Sequence, residues 1–254
     1  MSDDRNNNAE GHQPIFTLPQ TVLYSVAFLV LVHVATLFVL DAEGRNQLII
    51  WFAFIPLRVT DFAGAPGGAW PLLWTPFTHA LMHASWEHVL INAAWLAIFG
   101  TPVARRYGPV LFLIVFFISA LAGAFAYLLT AWGQVGVLVG ASGGISGLTG
   151  VAVRFVFQPP VVIARDPETG APVGYGRQLL PLAGLLRNSR ARAFTLIWIG
   201  LNAITPLLPL VTGGGGIAIA WQAHLGGFFA GLLLATLCDQ QARREFNRNT
   251  PQSD

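Results

Sequence analysis

Two short segments hold side chains that could do nucleophilic chemistry: Gly140-Ala141-Ser142-Gly143 and Ala223-His224-Leu225-Gly226-Gly227. Each sets one polar, reactive side chain among small residues inside a strongly apolar stretch. Polar and ionisable groups at membrane depth are expensive to desolvate, so they mark function where they occur. A serine hydroxyl is a weak nucleophile until an adjacent base accepts its proton, and histidine is suited to that task. A third segment, from His79 to Asn92, brings His88 and Asn92 one helical turn apart and therefore onto one face. Such side chains can donate hydrogen bonds to the oxyanion of an acyl-transfer intermediate. Plainer alternatives stand beside each reading. Ser142 and His224 could serve ordinary helix packing, and His88 and Asn92 could simply hydrogen-bond between helices.

The elements that must position these groups are membrane helices. The chain has 254 residues, 54% hydrophobic and only 10% charged, with a mean hydropathy of +0.58. A soluble domain carries about 25% charged residues, so this composition leaves too little polar surface for one. The fold expected is all-α, a polytopic bundle of six transmembrane helices. Residues 1–18 are read as a disordered cytoplasmic tail, 19–239 as the membrane domain and 240–254 as a cytoplasmic C-terminal tail. The expected spans are Thr21–Leu40, His79–Phe99, Tyr107–Trp132, Ser142–Phe157, Ala193–Val211 and Ile217–Cys238. The first has too long an apolar core for a signal sequence, and no small-residue cleavage site follows it. Between the first two, the aromatic-rich Leu48–Ile55 segment is expected to lie in the membrane surface.

The fourth span is the short one. Its length of about 24 Å, at 1.5 Å per residue, falls below a hydrocarbon core of about 30 Å. The loop before it must therefore dip inward, which is tolerated only inside protein or beside a water-filled cavity. Ser142 would then lie at the floor of that cavity. Gly143 and Gly147 bare one side of this helix, as Ala223, Gly227 and Gly231 do for the sixth. Small faces let helix backbones approach closely in membranes, which could bring Ser142 and His224 within hydrogen-bond reach.

All basic side chains are arginines, and most cluster by span: Arg105 and Arg106 after the second, Arg154 to Arg192 in or near the connection after the fourth, and Arg243, Arg244 and Arg248 after the sixth, whereas the connections after the third and fifth carry no charge. By the positive-inside rule both termini are cytoplasmic, and Ser142 and His224 fall toward the outer face. The pI of 9.1 is accordingly read as topology and not as nucleic-acid binding. Cys238 has no partner cysteine in the chain and is read as a small apolar helix residue.

The segments His79-Ala-Leu-Met-His83-Ala-Ser-Trp-Glu-His88-Val-Leu-Ile-Asn92, Gly140-Ala-Ser-Gly143 and Ala223-His-Leu-Gly-Gly227 resemble the three signatures of rhomboid intramembrane serine proteases. They occur in that family's order, and the resemblance runs from about Thr21 to Cys238. It implies Ser142 as nucleophile and His224 as general base, with no acidic third member. It further implies an oxyanion hole of His88, Asn92 and the Ser142 backbone N–H. Membrane-anchored proteins, cut in or near the outer part of the bilayer, would be the substrates. No cofactor and no metal would be needed. Arginine-only basic usage and the compact six-helix plan point to a bacterial inner membrane as the location. The Gly213–Gly216 connection would correspond to the loop that caps the site.

Two positions depart from the family pattern. Ser146 stands where an aromatic often packs on the catalytic imidazole, so His224 must be oriented by other packing, such as Phe228 or a third-helix side chain. Trp74-Thr75 replaces a Trp-Arg pair, which leaves an arginine contact of the first loop missing. Among rival functions, a metal site on His79 and His83 would want a glutamate where Ala80 stands, and lacks a clear third ligand. A transporter would show repeats or charged pore-lining residues, and none is evident. A catalytically inactive relative that binds transmembrane segments would typically have lost the serine or the histidine. His33 is read as a packing or interfacial residue, His79 and His83 as hydrogen-bonding within the first loop and second helix. Substrate identity and oligomeric state stay open.

Overall fold

In hydrocarbon every main-chain N–H and C=O needs an internal partner, and a helix supplies it within one segment. The computed structural model describes residues 18–165, 169–170, 172–205 and 220–249. Its helices are α1 (Gln20–Phe38), α2 (Ala42–Phe52), α3 (Leu57–Thr60), α4 (Thr75–Thr78), α5 (Trp86–Trp95), α6 (Thr101–Thr130), α7 (Ser142–Val156), α8 (Leu182–Arg187), α9 (Ser189–Ile204) and α10 (Trp221–Asn249). Among the described residues, three helical runs are long and apolar enough to cross a membrane: Gln20–Phe38, Trp86–Thr130 and Trp221–Ala242. The two other expected spans are α7 and α9, of 15 and 16 residues.

The run Trp86–Thr130 is folded in two. α5 passes through a π-turn at Leu96–Gly100 into α6, and Gly108 then breaks the helix at φ 76° and ψ 178°. Only glycine adopts that conformation readily. Gly100 lies against the Phe112 ring, although twelve residues of straight helix would separate them by about 18 Å. The chain therefore doubles back at Gly108. The connection expected after Phe99 is itself helical, and a single residue does the work of a loop.

α7 forms the centre of the bundle. Every residue from Gly143 to Phe155 is buried, enclosed by α6 on one side and α10 on the other. Small residues make this possible. A Cβ on Gly227 would overlap the Gly143 carbonyl, and one on Gly231 would overlap that of Gly147. The two backbones thus touch along their expected faces, at a distance that only glycine permits.

Arg154 was expected near the connection that follows, but it is buried in the last turn of α7. Its guanidinium donates to the Leu180 carbonyl (2.8 and 2.6 Å), the Leu232 carbonyl (2.7 Å) and the Thr236 hydroxyl (2.7 Å). Five fixed donors let one arginine tie three segments together. Beyond α7 lies an element absent from the all-α expectation, an antiparallel hairpin of β1 (Pro160–Arg165) and β2 (Pro172–Arg177). Arg106, two residues before the Gly108 break, donates to the Arg177 carbonyl (2.5 Å) and pairs with Asp239 of α10 (2.7 Å).

Other boundaries moved. α10 continues as helix past Cys238 to Asn249, while its stretch long and apolar enough to cross a membrane is Trp221–Ala242. The expected second span began at His79, whereas that residue opens a 3-10 turn and α5 starts only at Trp86. Pro206, Pro209, the Gly213–Gly216 connection, the expected start at Ile217 and the N-terminal tail to Thr17 lie outside the described residues.

The connection from α1 to α5 is organised by side chains bonded to main chain. Arg58 is fully buried and donates to the carbonyls of Ala53 (3.0 Å), Pro66 (3.0 and 2.9 Å) and Ile50. The arginine that organises this connection thus stands 17 residues before Thr75. Trp74 Nε1 donates to the Trp51 carbonyl (2.6 Å), and the Thr78 hydroxyl to that of Phe52 (2.9 Å). α2, expected as the surface segment Leu48–Ile55, is thereby fastened to the turn that carries His79.

Candidate active site

Ser142 is the first residue of α7, so its own N–H is one of the helix's unpaired N-terminal donors. Two contacts hold the loop before it. Gly140 N–H donates to the His79 carbonyl (2.9 Å), and Ala141 N–H to His83 Nε2 (3.4 Å). Gly140 adopts φ +120°, and a Cβ there would stand 2.6 Å from His88 Nε2 and 3.8 Å from Asn92 Nδ2. Glycine is thus required twice, for its backbone angle and for room.

His224 lies in the first turn of α10, and its Nε2 is 2.8 Å from Ser142 Oγ. Both side chains are partly buried, and the glycine seam between α7 and α10 sets their separation. The expected approach of these two residues is present in the geometry.

Facing them, Ser85 caps α5 by accepting from His88 N–H (3.2 Å). The cap fixes the first turn that carries His88. The Ala84 N–H points at His88 Nδ1 over a long 3.5 Å. With Nδ1 as acceptor, the ring proton sits on Nε2, directed toward Gly140. Asn92 is buried, and its Nδ2 has no hydrogen-bond partner among the described residues. Buried amides are nearly always paired, so an orphan donor at such a place asks for an explanation.

These groups open on one cavity of about 380 Å³. Ser142, His224, His88 and Asn92 all line it, with Trp95, Ile145 and Trp198 making an apolar flank. The arrangement can hold an acyl group beside a hydroxyl nucleophile, with a base on one side and hydrogen-bond donors on the other. Glu87 is exposed at the same cavity.

One contact was not anticipated. His224 Nδ1 lies 2.7 Å from Oδ1 of Asn202, a buried residue of α9. Phe228, a candidate for orienting the imidazole, instead stacks on Trp198 at 6.1 Å. The available signal was a lone amide within the apolar stretch of α9, a residue type that is expensive in that setting.

His79 hydrogen-bonds within the first connection, as expected, whereas His83 accepts from Ala141 in the loop before α7. They do not share a helix face, because His79 lies in a 3-10 turn with its Nδ1 2.9 Å from the Thr75 carbonyl. The paired-ligand geometry of the metal alternative is therefore not formed. His33 is buried edge-on against Trp86, with ring centroids 4.9 Å apart.

Comparisons with known proteins bear on the family of the chain. Residues 71–241 match the model of the family described as Rhomboid domain. The chain is 26% identical over 204 residues to rhomboid protease GlpG of Pectobacterium atrosepticum, covering 80% of this chain and 59% of that protein. It is also 26% identical over 225 residues to YdcA of Bacillus subtilis, named for the same family, covering 88% and 94%. The match with the first of these relatives thus spans less than two thirds of that relative's length.

Proposed function

This chain belongs to the rhomboid family and is an integral membrane protein, and from that premise we propose that it is an intramembrane serine endopeptidase of six spans. Ser142 is the nucleophile in this reading and His224 the general base. The 2.8 Å contact between Ser142 Oγ and His224 Nε2, at the wall of a cavity holding the unpaired Asn92 amide, is the observation that carries it.

The chemistry follows from the atoms present. Nε2 accepts the Ser142 proton as Oγ attacks the scissile carbonyl carbon. The oxyanion that develops is met by the Ser142 N–H, His88 Nε2–H and Asn92 Nδ2–H. The resulting imidazolium then gives its proton to the leaving amine as the C–N bond breaks. Water entering through the cavity is deprotonated by the same nitrogen and hydrolyses the acyl-serine. This restores the hydroxyl and releases the acid.

The substrates are membrane-anchored proteins, and both termini of the enzyme face the cytoplasm of a bacterial cell. With arginines clustered after the second, fourth and sixth spans, that orientation turns the cavity outward.

Cleavage of a transmembrane reporter in liposomes by the purified protein tests this, beside Ser142→Ala, His224→Ala and a chelator arm. We expect wild-type cleavage, a loss of at least about 10³-fold in either variant, and indifference to chelator. Cleavage surviving Ser142→Ala would overturn the mechanism. A wild type that binds reporters without cutting any of them would favour the inactive, segment-binding relative instead.

A further inference from the structure

We infer that Asn202 is the residue that positions His224, adding an orienting third member to the Ser142–His224 pair. The inference rests on the protease reading above and adds to it the partner that orients the base.

The amide of Asn202 can be assigned from its surroundings. Its Nδ2 donates to the Trp198 carbonyl at 2.8 Å, which leaves Oδ1 as the atom 2.7 Å from His224 Nδ1. Turning the amide over would set two carbonyl oxygens against each other at Trp198. Oδ1 has no hydrogen, so Nδ1 must carry the proton of that bond. A neutral imidazole with its proton on Nδ1 has its lone pair on Nε2, the atom facing Ser142 Oγ. Asn202 thus selects the tautomer in which His224 can act as a base.

The same contact answers for Ser146. With a small side chain there, no ring one turn into α7 holds the imidazole, and a hydrogen bond from α9 does so instead. Trp198 supports the arrangement twice. Its carbonyl fixes the Asn202 amide, and its ring stacks on Phe228, one turn beyond His224. An amide suits the setting better than a carboxylate, because a charge buried in a membrane bundle costs far more than a neutral dipole. The same division of labour exists in the Cys-His-Asn sites of papain-like proteases.

The test uses Asn202→Leu and Asn202→Asp in the full-length protein, with wild type and Ser142→Ala alongside. Reporter cleavage over a pH series is read together with the rate of Ser142 labelling by a fluorophosphonate and the unfolding midpoint in detergent. For Asn202→Leu we expect kcat to fall about 10²-fold with KM within about twofold, and labelling to slow in parallel. Asn202→Asp restores an acceptor and should recover at least about tenfold over the leucine variant. Its acid limb should move to higher pH, because a carboxylate beside the imidazole stabilises the protonated form. Leucine activity within about threefold of wild type would overturn the inference. So would equal losses in both variants that track a lowered unfolding midpoint, since Asn202 would then serve the fold alone. A wild type that neither cleaves nor labels would sink the protease reading, and the inference with it.

Discussion

The seam between α7 and α10 and the connection from α1 to α5 hold the two halves of the site by opposite means. The seam works by omission. Gly143, Gly147, Gly227 and Gly231 remove side chains so that two backbones touch, and the spacing of Ser142 from His224 follows. The connection works by addition. Arg58, Trp74 and Thr78 reach carbonyls that no helix would satisfy, and the turn they fix presents His79 and His83 to Gly140 and Ala141. Close packing tolerates no enlargement, whereas a hydrogen-bonded scaffold tolerates no deletion.

The seam should give the larger effect. Gly227→Val adds atoms where the Gly143 carbonyl already lies, and we expect no folded protein to be recovered from detergent extracts. A folded, active valine variant would show that the seam is looser than two touching backbones. In the connection, Arg58→Ala strands three carbonyl groups and should cost about 3 kcal/mol of stability, read from thermal unfolding in detergent. Arg58→Lys should recover little of it, since an ammonium cannot reach acceptors spread across a guanidinium fork. Full rescue by lysine would mean that charge, and not the fork, organises this segment.

A smaller, graded effect distinguishes the two regions by pH. Within the connection, outside the spanning helices, burial pushes His79 down to about 4. Burial, with the charges of His88 and His33 behind it, pushes His83 down to about 3. Unfolded histidine titrates near 6.5. Below that pH the unfolded chain binds protons that the folded one refuses, so stability complete above 6.5 drains away as pH falls toward 4. The unfolding midpoint should drop steadily between pH 6.5 and 4.5, and the slope should lessen in His79→Gln. A midpoint flat across this range would place the weakest acid-sensitive contacts elsewhere.

The same contrast explains what could be read in advance. Omission leaves a local pattern. Small residues every fourth position around Ser142 and His224 announced the seam, and α7 begins at the serine as expected. Likewise α1, expected at Thr21–Leu40, runs from Gln20 to Phe38 because an uncharged run of that length has few other options. Addition leaves none. Arg58 was one arginine in a loop, and its acceptors are main-chain atoms common to every residue. Asn202 was one amide in a span, with its partner 22 residues away. Arg154, near the end of its expected span, reads like the arginines of the connection that follows, because buried oxygens satisfy a guanidinium without an acid in the sequence to mark it. The strands Pro160–Arg165 and Pro172–Arg177 are the exception, since the β-branched run Val161-Val162-Ile163 after Pro160 is a strand signal inside the expected connection.

Gly108 has a mechanical consequence. With one residue between two antiparallel spans there is no slack, and Arg106 ties the fold to Asp239 at the far end of α10. α5, which bears His88 and Asn92, runs by way of the π-turn into this corner, and α10, which bears His224, is tied to it. The cavity wall that carries His88 and Asn92 and the wall that carries His224 thus share one anchor at the end of the bundle away from the cavity.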